Sequence, residues 1–93
     1  MVVGVLRVEL HLPTAMSLKD KRSILKSIKD RLRSALNVAV AEVDPNEKWQ
    51  RATLGLSTIG EDRDFVEATL RHAAEWLERN RFISVIHAEQ EIS

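Results

Sequence analysis

Six cations, Lys19, Lys21, Arg22, Lys26, Lys29 and Arg33, stand within a single stretch that opens on Ser17. Their chemistry is anion binding. Ser17 is a good helix N-cap, since its hydroxyl can accept from a free backbone N–H of the first turn, and Asp20 can reach back as the acidic half of a capping box. Free N–H groups and the three cations Lys19, Lys21 and Arg22 at one helix start make a site for phosphate or another anion. At about 100° per residue, Lys19, Arg22, Lys26, Lys29 and Arg33 share one stripe beside the apolar face. With a rise of ~1.5 Å per residue that stripe runs for roughly 20 Å, a length that suits several phosphates of a nucleic-acid backbone. The plain alternative is the solvated outside of an amphipathic helix, although this face carries one sign rather than the usual mixture. Trp49 and Arg51 form a second candidate contact. Trp49 either packs over the sheet edge as a lid, the commoner use of such a residue, or stacks on a partner.

Other chemistry finds no matching pattern. Gly4, Gly55 and Gly60 are isolated, so no glycine-rich phosphate loop exists, and no serine lies in a nucleophile elbow. His72 sits in a helical stretch between Arg71 and Ala73, and nothing nearby suggests a base–orienter pair. Glu42, Asp44 and Glu47 gather at a turn, where carboxylates are usually solvated and so lack the burial that raises a pKa. The absence of cysteine excludes disulfides, thiolate metal sites and iron–sulfur clusters. The expectation is a chain with no catalytic residues, no cofactor and no metal.

Ninety-three residues form one domain, 1–93, with 14 basic and 14 acidic residues in all. The charges are not evenly spread. Ser17 to Leu36 holds seven Lys/Arg against two Asp, whereas Glu61 to Arg79 holds six acids against three Arg. A basic helix and an acidic helix therefore give one small domain two electrostatically different regions. No apolar run approaches the ~20 residues that span a bilayer, and Met1 to Val5 lacks a basic start. A cytoplasmic protein with no membrane partner is expected.

Val2 to Leu12 alternates as a strand with one buried face, and Pro13 should stop it. The basic helix follows, with Leu18, Ile24, Leu25, Ile28, Leu32, Ala35 and Leu36 on its apolar side; Asn37 suits a left-handed terminating residue. Val38 to Val43 and Gln50 to Ile59 read as a hairpin whose polar tip is built on Asp44-Pro45-Asn46. A second helix runs to a C-cap at Asn80, with Val66, Leu70, Ala73 and Leu77 inward. Phe82 to Ile92 closes the chain as a strand, with Ile86, Ala88 and Ile92 on one face. The order βαββαβ, with right-handed crossovers, gives an α+β ferredoxin-like sandwich: a four-stranded sheet in order 4-1-3-2 with both helices on one face.

The other sheet face then carries Val3, Val5, Arg7, Glu9 and His11 from the first strand and Arg51, Thr53, Gly55 and Ser57 from the third. The fourth adds Val85, His87, Glu89 and Glu91. An RNA-recognition motif would need aromatic residues there, and none is present. With the ends of strands one and four aligned, Arg7 lies opposite His87, so His11 and His87 are too far out of register to share a metal with Glu89. Cross-strand Arg/Glu/His pairs are the expected arrangement. Val3, Val5 and Val85 form an apolar strip that a second copy of the chain is expected to cover.

Ser17-Leu18-Lys19-Asp20-Lys21-Arg22-Ser23, Asn37-Val38-Ala39-Val40-Ala41-Glu42-Val43-Asp44 and Trp49-Gln50-Arg51-Ala52 with Leu54-Gly55 also carry a family likeness. In these segments, and in their order, the chain resembles the YlxP-like family of small bacterial proteins, domain of unknown function 503. The likeness extends over nearly the whole chain. Ala39 stands where a serine is common, and Pro45-Asn46-Glu47-Lys48 varies the hairpin tip. The resemblance implies a ferredoxin-like fold. Such proteins are often encoded among translation and ribosome-maturation factors, which implies association with RNA or the ribosome and brings no catalytic residues. The resulting expectation is a non-enzymatic accessory protein that meets structured RNA or a ribosomal surface through the basic helix. The alternative is a homo-oligomeric interaction module.

Overall fold

Alternating burial along Val2–His11 makes β1, the strand on which the sheet is assembled. In the computed structural model, which describes residues 1–93, β1 is followed by α1 (Leu18–Ala35), β2 (Ala39–Val43), β3 (Arg51–Gly60), α2 (Arg63–Arg79) and β4 (Ser84–Ile92). The sheet order is β2-β3-β1-β4, every neighbouring pair antiparallel. This is the ferredoxin-like α+β sandwich expected from the order of elements. Leu6, Val8 and Leu10 of β1 and Leu54 and Leu56 of β3 supply the sheet side of the core. Leu25, Ile28 and Leu32 of α1 and Leu70, Ala73 and Leu77 of α2 close over them. Removing these side chains from water is the main source of stability, at about 25 cal/mol per Å².

α2 approaches β1 so closely that only glycine fits at position 4. A Cβ there would lie 2.6 Å from Val66 Cγ1 and 2.8 Å from Leu70 Cδ1.

The helix ends follow their caps. Ser17 Oγ accepts from Asp20 N at 3.0 Å, and Asp20 Oδ2 accepts from Met16 N, also at 3.0 Å, so the reciprocal box closes one residue early. At the other end Leu36 caps α1 in an extended conformation, and Asn37 is not left-handed. The non-glycine residue with positive φ is Asp44, at 48°; a short polar side chain tolerates this better than most. Asp62 and Asn80 cap α2.

β4 departs from the aligned-end expectation in two ways. Its pairing starts with Gly4 opposite Ile92, extended by reciprocal bonds between Val3 and Ser93 at 3.0 and 2.9 Å. Arg7 consequently faces Glu89, and Glu9 faces His87. The register then shifts between Glu9 and Leu10, bringing Val85 opposite Leu10. One extra residue on one strand reverses the inward–outward alternation beyond it. Val85 therefore turns toward the helices and packs on the core, and Ile86 stands 44% exposed. Both residues lie opposite to their expected faces.

Candidate nucleic-acid interface

Lys21 sits within the apolar stripe of α1, four residues before Leu25 and seven before Ile28, and the fold buries it to 3% exposure. Its ammonium is fully occupied. It donates to the Asn46 carbonyl at 2.9 Å, to Asn46 Oδ1 at 3.1 Å and to the Lys48 carbonyl at 2.9 Å, with Glu42 Oε2 at 3.8 Å as counter-ion. A buried ammonium is tolerated when paired and hydrogen-bonded in this way. Lys21 is thus not an exposed phosphate contact. It is the clamp that holds the hairpin tip against α1.

Gln50 makes the second attachment. Its Nε2 donates to the carbonyls of Pro13 and Ala15, each at 3.1 Å, and its own carbonyl accepts from Leu12 N at 3.0 Å. Within the tip, Asn46 Oδ1 also accepts from Lys48 N at 2.8 Å. Trp49, between the two attachments, is 51% exposed and borders a shallow hollow with Glu47, Lys48 and Arg51. It is not folded over the sheet edge as a buried lid. Arg51 is exposed at the start of β3.

The stripe on α1 divides into a paired and an unpaired set. Lys26 Nζ lies 2.8 Å from Asp30 Oδ2, and Arg33 Nη1 lies 3.6 Å from Asp30 Oδ1. Arg33 also donates to the Val40 carbonyl at 2.6 Å, which ties α1 to β2. The hydrogen bond from Lys26, reinforced by the charges of Lys26, Arg33 and Lys29, holds the Asp30 carboxyl below its ordinary 3.8. Lys19, Arg22 and Lys29 take part in none of the ion pairs. Lys19 and Arg22 are exposed and Lys29 is half-buried. The expected row of five uncompensated cations is therefore a row of three, beside a Lys26–Asp30–Arg33 network.

The structure brings the start of the basic helix and the hairpin tip, expected as separate contacts, into one surface. Sequence reasoning missed its two fasteners, Lys21 and Gln50. For Lys21 the signal was present, since 100° steps place it among the leucines.

The open sheet face is divided as well. Arg7 pairs with Asp44, and His87 Nε2 lies 2.8 Å from Glu89 Oε1 on its own strand. His11 faces Ser84, away from His87. The other half is apolar. Val3 and Val5 lie opposite Ile59 and Ser57, and Ala39, Ala41 and Val43 pair with Ser57, Gly55 and Thr53. Val5 and Ile59 are 44% and 49% exposed. The apolar strip thus runs from β1 across β3 to the edge strand β2, rather than through Val85.

Comparison with known proteins adds the family. Residues 3–90 match the family model described as "Protein of unknown function (DUF503)". A curated relative, "Uncharacterized protein YlxP" of Bacillus subtilis (strain 168), is 29% identical over 77 residues, covering 83% of this chain and 84% of that protein. No helix is long and apolar enough to cross a membrane.

Proposed function

The chain belongs to the YlxP-like DUF503 family, and from that premise we propose that it is a non-enzymatic accessory protein that docks on structured RNA or a ribosomal surface. The contact surface is the outer flank of α1 together with the clamped hairpin tip. Lys19, Arg22 and Lys29 neutralise phosphates, helped by Lys48 and Arg51, and Trp49 offers a ring for stacking. The observation that carries this reading is the Lys21 clamp, whose bonds to the Asn46 and Lys48 carbonyls hold a tryptophan tip beside unpaired cations. Phosphate contacts position without reading sequence, so affinity depends strongly on salt and weakly on sequence. A titration of labelled hairpin RNA over a range of salt concentrations, with charge-reversal variants, tests it.

A second reading is self-association through the open sheet face. The exposed apolar half around Val5, Ile59, Ala41 and Val43, next to the unpaired edge of β2, favours it. The two readings centre on different surfaces, the α1 flank with the hairpin tip and the apolar half of the open sheet face, and are compatible.

A further inference from the structure

The flank of α1 that faces α2 bears a different set of residues. A cavity of about 270 Å³ is lined by Arg31, Trp76, Arg79, Asn80, Arg81 and Phe82. A second, of about 200 Å³, extends past Ser23, Ile24 and Ser27, and it shares Arg31, Asn80 and Phe82. A third, of about 410 Å³, extends the other way past Ser34 and Ala35, sharing Arg31 and Trp76. Together they form one open groove along α1 from Ser23 to Ala35, roughly 18 Å at ~1.5 Å per residue.

Three arginines, Arg31, Arg79 and Arg81, line this groove, and little compensates them. Arg31 and Arg81 take part in no ion pair, and Arg79 has only Glu75 Oε2 at 3.9 Å. The carboxylate on the groove wall is Asp30, already held by Lys26 and Arg33. Two aromatic rings stand among the arginines: Trp76, half-buried on the core, and Phe82, 52% exposed. The main chain at Phe82 is tied by the bond from its backbone N–H to Asn80 Oδ1 at 2.9 Å.

We infer that this groove binds a single-stranded segment of nucleic acid. Guanidinium forks match phosphate oxygens, and an electropositive groove with interleaved rings is the general solution for a flexible strand whose bases are free to stack. An open trough suits a chain that enters and leaves better than a closed pocket suits a free nucleotide. The inference shares a class of partner with the reading above but none of its residues, so the two fail separately.

The test uses the full chain and a fluorescein-labelled single-stranded oligoribonucleotide, with circular dichroism as the check on folding. Arg31→Glu with Arg81→Glu raises Kd at least tenfold and lowers the salt slope by about two, one for each phosphate contact removed. Phe82→Ala raises Kd about fivefold or more through lost stacking. In a Trp49→Phe background the oligonucleotide quenches Trp76 emission. Reversal of Lys19 and Arg22 leaves that quenching intact. Unchanged affinity in the folded arginine variant overturns the assignment. So does equal affinity for a mononucleotide, which would make the site a nucleotide pocket, or for polyglutamate, which would make it a nonspecific anion surface.

Discussion

The Lys21 ammonium lies 2.9 Å from the Asn46 carbonyl oxygen, 25 residues further along the chain. Through this bond and its neighbour to the Lys48 carbonyl, a lysine that looks like a surface cation becomes the inner fastening of the hairpin tip. Lys21→Met keeps the apolar stem and removes the donors. Stability should fall by about 2 kcal/mol, lowering Tm by roughly 8–16 °C, and the tip should loosen, seen as lower Trp49 fluorescence anisotropy. A Tm within a degree or two of the wild type would refute the clamp.

The bulge in β4 is checked by two neighbouring truncations. Val85, which packs on the core opposite Leu10, should cost about 1–2 kcal/mol on replacement by alanine. Ile86→Ala, at an exposed position, should stay within about 0.5 kcal/mol. Urea midpoints in the reverse order would restore an unbroken alternation.

The sandwich was legible because period-two and period-3.6 patterns in β1, β3, α1 and α2 all agree with one topology. The Ser17 and Asn80 caps obey local chemistry that needs no distant partner. What escaped the sequence depends on contacts far along the chain. Period counting cannot see an inserted residue in β4, because register is set by the partner strand. The same holds for the basic stripe. Spacing placed Lys26 and Arg33 on it, but Asp30, between them in sequence, reaches both and cancels part of their charge. Gln50 gave no signal, since its two acceptors belong to the loop before α1.

Asp30 makes a pH prediction whose sign is fixed. Its folded pKa lies below the ordinary 3.8 because of the Lys26 hydrogen bond and then the surrounding cations. The stability it contributes is fully present above the unfolded value and is lost as pH falls through the folded one. Wild type should exceed Asp30→Asn in urea midpoint at about pH 6, with the gap closing below about pH 3. Added salt should narrow it at about pH 6 as well, since the pair is exposed. A gap that persists in acid would assign the effect to something other than this charge.

Self-association is tested at Val5. Sedimentation at micromolar concentration should report more than a monomer, and Val5→Lys, which places a charge in the apolar half of the open face, should dissociate it without unfolding the chain. A wild-type chain sedimenting as a pure monomer would remove this second reading.

Binding of a labelled RNA hairpin, followed by anisotropy between about 50 and 200 mM salt, addresses the proposed function most directly. The wild type should bind and lose more than about tenfold in affinity across that range. The triple reversal Lys19→Glu, Arg22→Glu and Lys29→Glu should abolish binding while leaving the circular dichroism unchanged. Lys26→Glu should weaken it less than Lys29→Glu, because Asp30 already holds Lys26. Binding that ignores salt, or a folded triple variant with wild-type affinity, would contradict docking through the outer flank of α1.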